Sequence, residues 1–540
     1  MCRSPLRMAT RISLTRRPEK HALVAMGDSL ALGFQNGGIF RSDLSFPAMI
    51  ARSMDPQPAF ETPSFVMQGG IPLNLDVLVR GLEERFGPEI SWNESMAAAT
   101  YLFTTLRRIK QHWEGRKRPL AVRRERPWHL QAVWGFAMND AWMMTERHAR
   151  EFIETQRNSY SVFSVLPDHA MYTTARMVLN PAFRDDLADR CMLDNVEWFA
   201  RDGGIENLIC CLGHNNVVRA TSDLRIRYSE AGDLGAYHAQ RRCTVYRPEH
   251  FRQEASVLFE KLAAMRIRRV FVPTLPLVTI PPVMRGVNPD GSPPREGLYD
   301  YYTRFWIWDE DFDPERHPHL TRGQAVELDT LVRDYNAILA ELARRYGFHL
   351  VPVSKFVEAA ARRRKRHNRQ RHRRIDGLFP PGLVQALQTH EATRHLDPDH
   401  PLTTDFFRLD PASGLMDRGG IFSLDGLHPS TVGYGLIADI YRRTMQKAGV
   451  RFARDLDWPG IVAEDTLLSR PPALLVNLRD VLQFLGMDRN EMLTRLGKGV
   501  LEQLLELVGS GDSAAAALQS TLRPDQGPGP GPGQGASGGE

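Results

Sequence analysis

Leu23-Val24-Ala25-Met26-Gly27-Asp28-Ser29-Leu30 is the stretch that decides the fold. Its apolar residues run into a Gly-Asp-Ser triplet, which places a serine hydroxyl where a buried strand is expected to stop. Open α/β sheets bind their ligands at the carboxyl ends of their strands. Ser29 is therefore a candidate nucleophile, provided that a base and an oxyanion site lie elsewhere in the chain.

Short apolar runs alternate with longer amphipathic ones along the chain, a pattern that predicts a mainly parallel sheet covered by helices on both faces. The strand candidates are 21–26, 129–134, 207–212, 270–274 and 349–353. The segments between them are too long for simple crossovers. We therefore expect large insertions, near 60–126, 217–246, 276–322 and 356–422.

Four helices are predicted beside these strands. Apolar residues at three-and-four spacing from Leu328 to Leu342 indicate a helix that Gly347 stops. Similar patterns predict helices over about 185–201 and 249–266, and a last one that begins near Ser430 or Thr431.

The organisation along the 540 residues follows from composition. A basic tail over 1–20 precedes a main domain over 21–450, a helical extension is predicted over 451–523, and the Gly- and Pro-rich 524–540 is predicted to be disordered. The formal net charge of +5 is modest for this length and names no partner.

The apolar runs and the cysteines indicate the cellular compartment. No run approaches the ~18 consecutive apolar residues of a membrane span. The five cysteines are odd in number and lack metal-type spacing, and Cys210 and Cys211 lie within an apolar run. A reducing, cytoplasmic compartment is the expectation.

A second chemical signal lies near the carboxyl end, at Asp425-Gly426-Leu427-His428-Pro429. An aspartate three residues before a histidine lets one loop present both side chains. The carboxylate then orients the imidazole, whose other nitrogen takes the serine proton. Alone, this pattern is more typical of a loop at a helix entry.

Oxyanion donors are predicted at two further strand ends. Gly213-His214-Asn215-Asn216 follows the third strand, and the Asn215 amide is suited to donate to a developing oxyanion. Trp134-Gly135-Phe136 follows the second strand, and a glycine allows a backbone N–H to approach the substrate closely.

Taken together, these residues resemble the motifs of the GDSL-type esterases/lipases of the SGNH hydrolase superfamily, over about 21–449. The resemblance implies a flavodoxin-like three-layer α/β/α fold with a five-stranded, mainly parallel sheet. It also implies Ser29 as nucleophile, His428 as base and Asp425 as its partner. The oxyanion hole would comprise the N–H groups of Ser29 and Gly135 with the Asn215 amide, with no metal or organic cofactor.

Two positions depart from the family pattern. Asn216 follows Asn215 where the family usually has aspartate, so a local carboxylate is missing. The run Leu130-Gln131-Ala132-Val133-Trp134-Gly135 is similar to the family's usual Asn-x-Ala-x-x-Gly run but has Leu130 in place of its asparagine. The α/β-hydrolase nucleophile elbow fits less well, because the second glycine of that motif is absent after Ser29.

Other candidate motifs favour structural roles. Gly511-Asp512-Ser513 repeats the first triplet but lacks a preceding strand. His390 and His395 are five residues apart, so they do not share a helix face as zinc-protease histidines do. The aromatic cluster is interpreted as the core of its insertion, with a pocket wall as the alternative; it comprises Tyr299, Tyr301, Tyr302, Phe305, Trp306 and Trp308.

Two hypotheses follow. The first is a serine hydrolase of carboxylic esters, with lipase, thioesterase, deacetylase and acyltransferase activities left open, as is the oligomeric state. The second is a non-catalytic scaffold that binds polyanions through the basic run Arg362 to Arg374. That run lacks the aromatic residues of a stacking platform and is more typical of a solvated insertion, with weak polyanion contact as the alternative.

Overall fold

The computed structural model describes residues 19–66, 69–114, 124–156, 167, 169–295, 297–361 and 378–477. The basic tail before residue 19, the basic run 362–374 and everything after 477, including the Gly511-Asp512-Ser513 triplet and the 524–540 tail, lie outside the described residues. The polyanion hypothesis therefore stays a prediction.

Strands and helices alternate along most of the described chain. The strands are β1 Val24–Gly27, β2 Gly38–Ile39, β3 Ile71–Pro72, β4 Leu130–Ala132, β5 Ile205–Cys211, β6 Ile267–Pro273, β7 Met284–Val287, β8 Tyr301–Arg304, β9 His319–Thr321, β10 His349–Val351, β11 Arg408–Leu409 and β12 Met416–Arg418. The helices are α1 Ser29–Leu32, α2 Phe46–Ser53, α3 Leu75–Phe86, α4 Ser95–Glu114, α5 Asp140–Met143, α6 Glu146–Gln156, α7 Ala170–Leu179, α8 Met192–Arg201, α9 Arg219–Asp223, α10 Ala231–Leu234, α11 Pro248–Ala263, α12 Arg322–Tyr346, α13 Val353–Ala360, α14 Pro381–Thr389, α15 Thr431–Lys447, α16 Trp458–Glu464 and α17 Thr466–Ser469.

The main sheet is five-stranded and parallel throughout, in the order β4-β1-β5-β6-β10. Ranked by position in the chain, its strands read 2-1-3-4-5, which is the flavodoxin-like doubly wound order. β1 lies between β4 and β5, with Ala25 opposite Leu130 on one side and Ile209 on the other. The predicted fold class and all five strand candidates are confirmed.

The strand bounds differ from the predicted ones by up to three residues. The first strand begins at Val24 rather than His21, because His21 makes only a single bridge, to Ile205. Every residue of β1 is buried, and Cys210 and Cys211 of β5 are buried free thiols. Continuous apolar burial is expected of parallel strands that are covered on both faces.

The predicted helix ends are partly right. α12 ends at Gly347, whose φ of 71° suits glycine, and it starts at a capping box between Thr321 and Gln324. The single helix predicted over 185–201 is wrong, because Asp185–Leu187 is a separate 3-10 turn before α8. The helix predicted over 249–266 is α11, which ends at Ala263.

The insertions carry elements of their own. The 60–126 region contains α3 and α4, and the 276–322 region contains the antiparallel β7-β8-β9 sheet. In the aromatic cluster, Tyr302, Phe305 and Trp306 are buried, and Phe305 stacks on Phe406 with 4.7 Å between ring centroids. These aromatics therefore pack on one another within the 276–322 insertion and on Phe406 of the 356–422 insertion.

The described start of the C-terminal extension packs on the main domain. Trp458 of α16 is buried against Gly382 of α14 and Gly435 of α15, where a Cβ atom would lie 2.7 and 2.8 Å from the indole. The Asp465 carboxylate accepts the Val432 N–H of α15 at 2.9 Å. No helix in the described ranges is long and apolar enough to cross a membrane.

Candidate active site

One cavity, of about 430 Å³, collects residues from the ends of three neighbouring strands and from the loop before α15. Ser29 follows β1, Gly135 follows β4, Asn215 follows β5, and His428 precedes α15; all four line the cavity. The doubly wound topology brings these strand ends to one edge of the sheet. Residues separated by up to 399 positions thus meet in one place.

Ser29 is held in a sharp turn between β1 and α1. Asp28 is the N-cap of α1, and its carboxylate accepts the Leu30 N–H at 3.0 Å. Its second oxygen lies 3.2 Å from His214 Nδ1, on the loop after β5. Asp28 is fully buried, so this pair fixes the serine turn against the neighbouring loop.

His428 is oriented by Asp425 within one short loop. The imidazole Nδ1 lies 3.1 Å from Asp425 Oδ2, while Asp425 Oδ1 accepts the backbone N–H groups of Leu427 and His428 at 2.9 and 2.8 Å. The Nδ1 contact leaves Nε2 as the nitrogen available for proton exchange. The other side of the ring packs on Phe34, with 4.4 Å between centroids.

Asp425 is kept ionised despite its burial. Burial alone would raise the pKa of this carboxyl, but the neighbouring His428 and hydrogen bonds from His428 and Gly37 lower its pKa below the ordinary value. The Gly37 N–H donates to Asp425 Oδ2 at 3.0 Å. Asn36 reinforces the contact, since its side chain accepts the Leu424 N–H at 2.9 Å.

Three potential hydrogen-bond donors belong to residues that line the cavity: the backbone N–H groups of Ser29 and Gly135 and the Asn215 side-chain amide. The amide N–H groups of Ser29 and Gly135 donate to no acceptor in the described part of the chain. Asn215 Nδ2 donates one hydrogen to the Phe136 carbonyl at 2.9 Å, and an amide nitrogen carries a second hydrogen. Gly135 has a φ of 80°, which suits glycine. This arrangement can stabilise an anionic oxygen.

Ser29 and His428 face the same cavity without a hydrogen bond between the hydroxyl and the imidazole among the described side chains. Such bonds are often long in ligand-free sites and shorten only when substrate is bound. The Ser29 residue is 8% exposed, so the hydroxyl lies at the floor of the cavity rather than on the surface.

Asn216 contacts a carboxyl group that the sequence motif did not reveal. Its Oδ1 accepts the Met138 N–H at 3.1 Å, and its Nδ2 donates to Glu254 of α11 at 3.1 Å. Burial raises the pKa of Glu254 to about 8, although Arg241 and the Asn216 bond oppose that rise. Glu254 is therefore mainly protonated at neutral pH.

Asp140, Arg241 and His238 form a buried group next to Gly135 that sequence reasoning also missed. Arg241 pairs with Asp140, and the Asp140 carboxylate also accepts the His238 N–H at 3.0 Å. Burial lowers the pKa of His238 to about 4, so its ring is neutral at pH 7, and the ring is hydrogen-bonded to the Gly135 backbone. None of these three residues had a signal in the sequence. His214, which contacts Asp28, did have one, because it lies just after a predicted strand.

Among the described residues, side chains of the types that bind metals come together beside the serine. Asp28, Cys211 and His214 place potential ligand atoms within 4.8 Å of one another. Burial raises the pKa of the Cys211 thiol well above its usual value, which disfavours the thiolate that metal binding needs. The three residues fit a hydrogen-bonded support for the serine turn better than a metal site.

His390 and His395 each bond to the backbone. They lie in turns after α14, where His390 Nδ1 accepts the Ala392 N–H at 3.3 Å and His395 Nε2 bonds to the Met416 carbonyl at 2.8 Å.

The rest of the cavity wall is largely apolar. Aliphatic and aromatic side chains after β6, from α13 and from α15 line it; they include Leu275, Leu277, Val353, Phe356 and Ile437. A space of this kind excludes water and accommodates a hydrocarbon group of several carbons.

The comparisons with known proteins add little. No family model and no curated protein matches the sequence. Among solved structures, the chain is similar to the crystal structure of LAE5, an α/β hydrolase enzyme from the metagenome of Lake Arreo, Spain, with 11% sequence identity and a TM-score of 0.25. The match covers 80% of this chain and 97% of LAE5. A TM-score this low has no bearing on chemistry, which must be inferred from the site.

Proposed function

We propose that the protein is a serine hydrolase that cleaves carboxylic esters and resembles the GDSL-type esterases/lipases. The observation that supports this most is that Ser29, the His428–Asp425 pair and Gly135 lie around one cavity. The N–H groups of Ser29 and Gly135 there have no acceptor among the described residues. Each group has a defined task in acyl transfer, and the strand topology unites them.

The reaction proceeds in two steps. His428 Nε2 takes the Ser29 proton as Oγ attacks the ester carbonyl, and Asp425 stabilises the imidazolium that forms. The oxyanion lies among the Ser29 and Gly135 N–H groups and the Asn215 amide. His428 then protonates the leaving alcohol. Water repeats the sequence on the acyl-serine, releasing the carboxylic acid and restoring Ser29.

The apolar cavity favours an acyl group with several carbons over a bare acetyl group. Each methylene that leaves water contributes about 0.8 kcal/mol to the free energy of binding. A substrate gains this only if the cavity wall is apolar along the whole length of its acyl group. Leu275, Leu277 and Phe356 provide such a wall.

Covalent labelling of Ser29 tests the proposal. The full chain is treated with a fluorophosphonate probe and the labelled peptide is identified by mass spectrometry, while turnover of nitrophenyl butyrate is followed in parallel. We expect the label on Ser29, and a loss of about 10³-fold or more in kcat in Ser29→Ala.

Ser513→Ala is the matched control, because Ser513 belongs to the other Gly-Asp-Ser triplet of the chain. It should keep full turnover and full labelling. A folded wild-type chain that neither reacts with the probe nor cleaves the ester would overturn the proposal and favour the scaffold hypothesis.

A further inference from the structure

A second cavity, of about 590 Å³, lies between two of the insertions. The loop after α9 forms one side, and the segment of β8 and β9 forms the other. In contrast to the catalytic cavity, its walls are strongly basic: they carry Arg225, Arg227 and Arg304, together with His317 and His319, against the single carboxylate of Asp223. We call this space the arginine cavity.

Its positive charge is incompletely neutralised. Asp223 pairs with Arg227 at 3.3 Å and with Arg219 at 3.5 Å. Arg304 donates to the Ser222 carbonyl, and neither Arg304 nor Arg225 has a carboxylate within ion-pair distance among the described residues. Burial lowers the pKa of Arg304, opposed only by Asp223, so this guanidinium is partly removed from water without a close counter-ion.

The histidines add a donor to the same space. His317 Nδ1 accepts the Asp313 N–H at 2.9 Å, which leaves the ring proton of the neutral form on Nε2. His319 Nδ1 donates to the His317 carbonyl at 2.9 Å and holds the two rings in place. Guanidinium groups beside an imidazole N–H match a tetrahedral oxyanion with several acceptor oxygens, such as a phosphate.

The two cavities share a wall. Ser222 lines both of them, and Arg219, which lines the catalytic cavity, pairs with Asp223, which lines the arginine cavity. Arg219, Ser222 and Asp223 all belong to α9. The two cavities therefore adjoin at α9.

We propose that the arginine cavity is an anion subsite, and that the substrate is an acyl ester of a phosphorylated alcohol. The acyl chain occupies the apolar cavity and the phosphate lies against Arg225 and Arg304. This inference rests on the proposed esterase function and specifies its substrate class.

The test compares two esters that differ only in the phosphate: octanoyl glycerol and octanoyl glycerol 3-phosphate, both below the concentration at which they form micelles. We expect wild-type kcat/KM to be about tenfold or more higher for the phosphorylated ester, the effect of one or more charge-assisted hydrogen bonds. Added salt should reduce this preference.

For each variant, the quantity measured is the ratio of kcat/KM for the phosphorylated ester to kcat/KM for the neutral ester. Arg225→Gln, an exposed change, and Arg304→Lys, which keeps the charge but removes the planar fork, should each lower the ratio several-fold. Arg333→Gln, on an exposed position of α12, should leave the ratio unchanged. Thermal melting of each variant shows whether it is folded; if Arg304→Lys is not, Arg225→Gln decides.

The outcomes separate this inference from the esterase proposal. Turnover of both esters without preference and without an effect of inorganic phosphate, or a preference that neither variant changes, overturns the anion subsite and leaves the esterase standing. Failure to cleave either ester counts against the esterase itself. If inorganic phosphate alters cleavage of the neutral ester through Arg225 while no preference exists, the cavity binds a free anion, and the substrate assignment is wrong.

Discussion

Glu254 makes the stability of the protein depend on pH. Because burial raises its pKa to about 8, the folded protein holds a proton that the unfolded chain, with a glutamate pKa of about 4.3, releases. Stability from this proton is complete below the unfolded pKa and is lost as the pH rises through about 8. Protonated glutamate and glutamine offer Asn216 the same acceptor.

We therefore expect the free energy of unfolding of Glu254→Gln at pH 8 to exceed that of wild type by on the order of 2 to 4 kcal/mol. The variant should unfold at a higher urea concentration, and the difference should shrink towards pH 5. Urea denaturation at pH 5, 6.5 and 8 measures this. Glu260→Gln, on the exposed face of the same helix, is the control. Parallel pH profiles for wild type and Glu254→Gln would contradict the assignment of a protonated carboxyl.

Replacement of Gly135 is expected to change kcat through the conformation of its backbone. Its φ of 80° strains any other residue, and an added Cβ would lie 3.1 Å from Met171 Sδ. Gly135→Ala should shift the peptide that is proposed to donate to the oxyanion and lower kcat by about tenfold or more, with a smaller change in KM. Gly291→Ala has a similar φ of 68° in open space, so steady-state kinetics of the two variants separate the site effect from backbone strain. Equal kcat values in both variants would remove Gly135 from the oxyanion hole.

At the scale of elements, the start of α15 positions His428, the proposed base. Ser430 caps this helix: its Oγ accepts the Gly433 N–H at 3.0 Å and donates to the Gly420 carbonyl at 2.7 Å. Ser430→Ala should cost about 1 to 3 kcal/mol in the free energy of unfolding, and it should lower kcat because His428 lies just before the cap.

Thr321→Ala provides the comparison for that prediction. Thr321 caps α12, a helix other than the one that follows His428. The cap is a bond from the Gln324 N–H to the Thr321 hydroxyl at 3.3 Å. It should lose stability while keeping kcat when both are measured by urea denaturation and ester turnover. If the two variants lose kcat to the same extent, the α15 cap has no special part in the site.

The elements also show what the sequence could and could not predict. The strands were predictable, because apolar runs are local signals. The positions of Ser29, Gly135 and Asn215 after strands, and of His428 before a helix, were predictable for the same reason. The Asn216–Glu254 contact was not, since it joins the loop after β5 to α11 through side chains alone. The arginine cavity was equally hidden, because it exists only where two insertions meet.

At the scale of the whole molecule, the segment after residue 450 is part of the main packing. Trp458 is 4% exposed and fits against Gly382 and Gly435. Trp458→Ala should destabilise the entire domain by about 3 to 5 kcal/mol, as expected for a large aromatic lost from a core. Calorimetry should show one transition at a lower Tm. An unchanged main transition would mean that the segment unfolds separately from the sheet.

The contacts of Gly37 and Asn36 with the 423–425 loop have a consequence for synthesis. Ser29, the proposed nucleophile, emerges from the ribosome early, whereas the loop that holds His428 is made about four hundred residues later and bonds directly to residues 36 and 37. If Ser29 and His428 act as proposed, a nascent chain therefore cannot cleave an ester until the 423–428 loop has been translated. Appearance of ester cleavage in a timed translation reaction should lag behind the appearance of Ser29 and coincide with release of nearly complete chains.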